Sequence, residues 1–292
     1  HTLEFGTFVT PLNDPPQHAV DLAVLAEQLG FDLVTLQDHP YQPRFHDTLT
    51  LLTWIAARTE RVRLMANVHN LPLRPPAVLA RAAASLDLLS AGRFDLGLGA
   101  GGFWDAIEAM GGQRLEPGES IDALGEAIAI IRGVWDAENR EPLRVNGTRY
   151  RVDGAKRGPA PSRDIPIVIG GYKSRMLRFI GTHADGWVPS FGYLKPGDIP
   201  KANAVIDQAA ADAGREPADI RRLLNVGGTF SATATADFNG PPDHWVRQLT
   251  QLAVDDGIST FILATDDADA MRRFAEEVIP AVRDGVARAR RA

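Results

Sequence analysis

Leu29-Gly30-Phe31-Asp32-Leu33-Val34-Thr35-Leu36 joins the end of a helical stretch to a short run that is apolar on both faces. Upstream, Val20, Ala23 and Val24 recur at three and four residues, while Asp21, Glu27 and Gln28 can face water. Gly30 falls where a helix favours a left-handed residue after its last turn. The same junction returns at Ala91-Gly92-Arg93-Phe94-Asp95 and at Asp256-Gly257-Ile258-Ser259. Strands such as Leu33–Leu36 and Phe261–Ala264 lack apolar/polar alternation, which predicts burial on both faces and hence a parallel sheet.

Working outward, eight strand candidates appear: Leu3–Val9, Phe31–Leu36, Val62–Asn67, Phe94–Leu98, Ile165–Gly170, Asp185–Ser190, Leu223–Phe230 and Ile258–Ala264. Helical stretches separate them. Asp14-Pro15-Pro16-Gln17 predicts a helix start, with Asp14 as N-cap and Pro15 in the first turn. Eight such units predict an α/β fold, a single (βα)8 barrel over residues 1–292; a doubly wound open sheet explains the alternation less completely. An excursion after the fourth strand, residues 100–164, holds a helix at Ser120–Asp136 and the Pro-, Gly- and Arg-rich Glu141–Arg163. At the C-terminal face it is expected to form a lid or substrate wall, or else a tolerated surface insertion.

Composition narrows the function. The 292 residues are 45% hydrophobic and 23% charged, with no cysteine and a formal charge of −6. A disulfide framework, thiolate metal site and cysteine nucleophile are excluded. The acidic balance argues against nucleic acid, and no apolar run reaches the roughly 18 residues of a membrane span. A soluble, cytoplasmic protein is expected. The chain begins at His1, which reads as a trimmed or tagged start, and no signal-peptide pattern follows.

In a barrel the chemistry sits at the strand exits. Asp38-His39 follows the second strand: the histidine can exchange a proton near neutral pH and a nearby carboxylate can fix its tautomer, unless the carboxylate simply caps local backbone. His69, after the third strand, either lines the same pocket or makes a structural hydrogen bond. Gly99, Gly101 and Gly102 follow the fourth strand, where missing side chains let backbone approach a flat ring or phosphate, or merely form a turn. Gly170-Gly171-Tyr172-Lys173-Ser174-Arg175 leads into a helix over Met176–His183 and predicts an anion site. A metal-dependent barrel hydrolase would use His39, His46 and His69, but diagnostic ligand spacing is absent and no metal is expected. No G-x-S-x-G elbow occurs.

The run Pro76–Phe94, followed by Leu96-Gly97-Leu98-Gly99-Ala100-Gly101, resembles blocks of the bacterial luciferase-like flavin and deazaflavin oxidoreductases, the luciferase-like monooxygenases. Pro117-Gly118-Glu119-Ser120, Ile169-Gly170-Gly171 and Ala184-Asp185-Gly186-Trp187 resemble further blocks in the same order. The resemblance implies a TIM barrel with a flavin-type ring at its C-terminal mouth, a small-molecule substrate and a homodimer. Asp38-His39 resembles the branch that uses the 8-hydroxy-5-deazaflavin coenzyme F-420 for hydride transfer; FMN with oxygen is the alternative, as in the family's monooxygenases. It implies His39 as the catalytic residue. Asp38, Asn67, Val68, Gly99 and Gly101 would seat the ring, and Gly170, Gly171, Ser174 and Arg175 would hold the cofactor phosphate. It also implies a non-proline cis peptide at Asn67–Val68.

One departure stands out. The sugar-phosphate dehydrogenases of the deazaflavin branch carry a carboxylate where this chain has Gly102, and cations where it has Ser190-Phe191-Gly192-Tyr193; the nearest acid is Asp105. A sugar phosphate is therefore disfavoured. With His69, the aromatic Phe103, Trp104, Phe191 and Tyr193 suggest a more apolar substrate pocket, though such side chains at barrel mouths also pack structurally. Gly102 leaves open a cofactor-binding protein without turnover.

Overall fold

The computed structural model describes residues 1–291. Eight parallel strands close into a barrel: β1 Glu4–Val9, β2 Leu33–Leu36, β3 Arg63–Ala66, β4 Phe94–Gly99, β5 Ile167–Ile169, β6 Gly186–Trp187, β7 Arg221–Val226 and β8 Thr260–Ala264. Each pairs with the next, and β8 pairs with β1 through Glu4↔Thr260 to Phe8↔Ala264. All eight expected strands are present.

Period-two alternation explains why these strands read as continuously apolar. In β2, Val34 and Leu36 join the core between sheet and helices, while Leu33 points into the barrel. Leu33, Met65, Val168, Val188, Leu223 and Ile262 fill the barrel's middle as a second apolar cluster. Below them, Glu4 pairs with Arg63 and Arg221, and Asp95 with Arg63 (3.2 Å) and Arg163 (2.6 Å). The interior is thus apolar in the middle and charged at the N-terminal end. A Cβ on Gly97 would run into the Ala66 carbonyl oxygen, so glycine lets β3 and β4 approach there.

The helices follow the strands around the outside. Helix α1 is His18–Gln28, α2 Thr48–Ala56 and α3 Pro76–Leu89. The start of α1 differs from the expectation: Asp14 does not cap it, Asp14–Pro15 is cis, and the helix begins three residues beyond Pro15, with the His18 amide bonded to the Pro15 carbonyl. Its end is as expected. Gly30 has φ +82°, and the Gly30 and Phe31 amides donate to Glu27 and Ala26 carbonyls, closing a Schellman motif. At the end of α3 the left-handed position is taken by Ala91 (φ 56°), with Gly92 following it.

The stretch after β4 divides in two. Helix α4, Trp104–Ala109, borders the strand exits, and α5, Pro117–Trp135, packs between α3 and α6, Ser174–His183. An antiparallel hairpin, Leu143–Asn146 with Arg151–Ala155, packs against α5. Its turn is held by the Glu126 carboxylate, which accepts from the amides of Thr148 (2.6 Å), Arg149 (2.9 Å) and Tyr150 (2.8 Å). The outer shell continues with α7 Asp198–Asp212, α8 Pro242–Asp255, α9 Ala268–Arg273 and α10 Ile279–Ala289. Among the described residues no helix is long and apolar enough to cross a membrane.

The Gly30 turn provides a test of the helix–strand junctions. A Cβ there meets no atom within 4 Å, so Gly30→Ala changes only backbone preference. It should lower stability by about 1 kcal/mol, read as a lower urea midpoint with unchanged slope.

Candidate functional site

The exits of β2 and β3 are joined by one buried carboxylate. Asp38 accepts the Asn70 amide (2.9 Å) and two bonds from the Arg74 guanidinium, Nε to Oδ2 and Nη2 to Oδ1, both 2.7 Å. Arg74 also reaches Asp47 (2.7 Å), which caps α2 by accepting the Thr50 amide. Burial opposes the charge on Asp38, but the Arg74 hydrogen bonds, with His69 adding to them, prevail and hold its carboxyl well below the usual range. His69 is fully buried; its Nδ1 lies 3.4 Å from Asp38 and its Nε2 has no partner.

The Asp38-His39 dipeptide therefore does not act as one pair. The carboxylate turns to Arg74 and Asn70, while the His39 ring shares a 2.7 Å hydrogen bond between Nδ1 and the Tyr41 hydroxyl. Phe103 meets the His39 ring edge to face at 5.3 Å, and Tyr41 stands 6.0 Å from Phe103. Burial pushes the His39 pKa down, partly opposed by the Asp38 charge, so the ring is neutral at pH 7.

These groups surround a cavity of about 220 Å³ lined by Asp38, His39, Tyr41, Asn67, Val68, His69, Asn70, Gly99, Gly101, Gly102 and Phe103. The Asn67–Val68 bond is cis. Val68 stands against Gly99, where a Cβ would come within 2.7 Å of Val68 Cγ2; at Gly101 (φ +106°) a Cβ would meet the Trp104 ring at 2.6 Å. Gly102 faces open space. Across the barrel mouth, Asn67 Nδ2 donates to Asn225 Oδ1 (2.7 Å), and Asn225 Nδ2 donates to the Ser190 hydroxyl (3.1 Å).

Other sequence-selected residues lie around this cavity rather than in it. Gly170 and Gly171 leave β5 beside Trp187, whose indole N–H donates to the Gly171 carbonyl (2.8 Å). Ser174 opens α6, and Arg175 pairs with Asp122 on α5 at 2.7 Å. Trp104 packs against the Gly101 turn. Phe191 stacks edge to face on Phe238 (4.9 Å) and borders a separate groove of about 350 Å³ between α7 and α8. Tyr193 is exposed next to Tyr172. Sequence reasoning missed Tyr41, Arg74, Ser190 and Asn225. Tyr41 had a signal, being an aromatic hydroxyl two residues after His39. Arg74 had none, because 36 residues separate it from Asp38. Among the described residues no three His, Asp or Glu side chains converge as metal ligands.

Removing Arg74 tests the clamp. Arg74→Met leaves a buried carboxylate without its main partner and should cost about 3 kcal/mol at pH 7. In the parent, Asp38 has a lowered pKa, so its stabilisation is fully present above pH 4. In the variant, burial dominates and raises that pKa, so its cost eases on protonation. The stability gap, measured by urea denaturation, should narrow from pH 7 to pH 5.

Comparison with known proteins agrees with this architecture. The model of the luciferase-like monooxygenase family matches residues 3–237. An F420-dependent glucose-6-phosphate dehydrogenase of Microbacterium testaceum is 30% identical, across 94% of this chain and 88% of its own. One from Nocardia farcinica is 32% identical, across 77% and 68%. Among solved structures, an F420-dependent secondary alcohol dehydrogenase in complex with an F420-acetone adduct superposes with a TM-score of 0.85 at 18% identity, over 97% of this chain and 99% of that one. The coenzyme F420-dependent tetrahydromethanopterin reductase of Methanopyrus kandleri gives 0.81 at 20%, over 96% and 99%. A barrel closed by eight parallel strands, with a family model matched from β1 past β7, leaves one assignment: the chain belongs to the luciferase-like monooxygenase family.

Proposed function

We propose that this protein is an oxidoreductase that transfers hydride between the deazaflavin coenzyme F-420 and a small, fairly apolar organic substrate interconverting between alcohol and carbonyl. The observation that carries the reading is His39, held by Tyr41 at the wall of a cavity bounded by Val68 and glycines at the β4 exit. The F420-dependent relatives named above support the choice of cofactor.

The residues fit such a ring. Gly99, Gly101 and Gly102 present backbone without side chains, and Gly102 opens on space that a planar group can enter. Asn67, Val68, Gly99 and Gly101 would border the ring, with Asp38 fixing the two loops beneath. Ser174 and the first amides of α6, reached through Gly170 and Gly171, would receive the phosphate; Arg175 adds positive charge from its pair with Asp122. When bound, the deazaflavin supplies the two-electron hydride chemistry that no side chain here can. His39 accepts the hydroxyl proton of an alcohol, or returns it to a carbonyl oxygen in the reverse direction.

A sugar phosphate is not the substrate proposed. Asp105, the nearest acid after Gly102, is exposed and paired with Arg114, and the His39 side of the cavity is walled by Phe103 and Tyr41. The substrate is expected to be smaller and less charged than the one named for the sequence relatives.

Titration of the purified protein with F420 and with FMN tests the cofactor. Saturable F420 binding is expected, weakened at least about tenfold by Ser174→Asp, which sets a negative charge at the phosphate seat. Binding of FMN alone would overturn the cofactor assignment and leave the family intact. For His39, kcat/KM for alcohol oxidation should fall only below about pH 6.5, because burial lowers the pKa and the neutral ring is the active form. His39→Gln should remove that acid limb and cut kcat on the order of 100-fold, while F420 binding is retained.

A further inference from the structure

We propose that Tyr41 is a positioning residue for His39, its hydroxyl setting which ring nitrogen meets the substrate and in which tautomer. The proposal deepens the hydride-transfer reading and rests on it for the role of the proton.

A neutral imidazole has one nitrogen that donates and one that accepts, and its hydrogen-bond partner decides which is which. A carboxylate commonly makes that choice. Here the neighbouring carboxylate is committed elsewhere: both Asp38 oxygens are taken by Arg74, one of them also by the Asn70 amide. The group that does meet His39 is the Tyr41 hydroxyl, 2.7 Å from Nδ1. With Nδ1 engaged there, Nε2 is the ring nitrogen left for a substrate. A phenol can take either side of this bond; with its own O–H turned to solvent it accepts from Nδ1–H, which leaves Nε2 unprotonated, the form a base requires.

The surrounding rings hold this arrangement. Tyr41 packs beside the His39 ring at 5.4 Å, and Phe103, from the start of α4, closes on both. Phe103 brings no titratable group. The other ionisable residues lining the cavity are Asp38, locked to Arg74, and His69, whose Nδ1 faces Asp38. Tyr41 is thus the titratable side chain in contact with the His39 ring.

Tyr41 is partly exposed, so its O–H can donate to solvent while its oxygen accepts from Nδ1–H. After Nε2 takes a substrate proton, the Tyr41 oxygen keeps accepting from Nδ1–H, and once product has left the same Nε2 proton passes to water. His39 returns to the neutral Nδ1–H form, Tyr41 is unchanged, and one proton reaches solvent. No electrons move in this step.

Nitrogen-15 NMR of the His39 ring in the cofactor-free protein reads the tautomer directly. The parent should show predominantly Nδ1–H. Tyr41→Phe, which removes one oxygen from a partly exposed ring, should give a mixture shifted towards Nε2–H. With F420 and an alcohol, the same variant should lose on the order of tenfold in kcat, with F420 affinity unchanged. The same single tautomer in Tyr41→Phe, or an unchanged kcat despite a shifted tautomer, overturns the proposal. If no alcohol turns over in any variant, the hydride-transfer reading fails, and the tautomer measurement decides the positioning role by itself.

Discussion

A carboxylate that stays charged after burial constrains everything at the mouth of this barrel. Asp38 sits where water cannot solvate it, so its charge must be met by fixed donors, and all of them come from the loop after β3. A bidentate guanidinium satisfies a carboxylate in one relative orientation only, which orients the β2 exit against the β3 exit. Arg74 extends the constraint to α2 through Asp47. Three chain segments are thus fixed by two carboxylates and one guanidinium. The cavity lies directly beside that knot.

The barrel interior explains why such a knot is needed. Its middle is apolar, its lower end is closed by Glu4, Arg63, Asp95 and Arg221, and its upper end carries Asn67, Asn225 and Ser190. An amide-to-amide bond across the top satisfies groups that would otherwise be buried without partners. Asn67 on the cavity wall is therefore already hydrogen-bonded within the protein, whereas His69 Nε2 and Asn70 Oδ1 beside it have no partner. His39, Tyr41 and Phe103 stand at the rim, apart from this buried network.

Much of this architecture could be read from local pattern. Strand positions followed from apolar runs buried on both faces, and the Gly30 turn from the need for positive φ. The start of α1 was misread because Asp-Pro-Pro-Gln satisfies the composition of a cap, while the chain there makes a turn around a cis proline. The family blocks were legible as an ordered set of motifs. The division of labour in Asp38-His39 was not, since sequence adjacency says nothing of partners 32 and 36 residues away. Phe191 shows the same limit: an aromatic residue at a strand exit could face the mouth or the helices, and here its ring packs on Phe238.

The rim is also where one family can diverge without disturbing its frame. The residues that close the barrel and hold Asp38 are set by packing and by buried hydrogen bonds, so changing them costs stability. Gly102 and Asp105 have no such ties: one faces open space and the other is exposed, paired with an exposed Arg114. A carboxylate can be gained or lost at these positions with little structural consequence. The histidine at the β2 exit takes its ring partner from the loop that follows it, 2.7 Å away. In this chain Asp38 is bound to Arg74, and the phenol of Tyr41 is the group that remains.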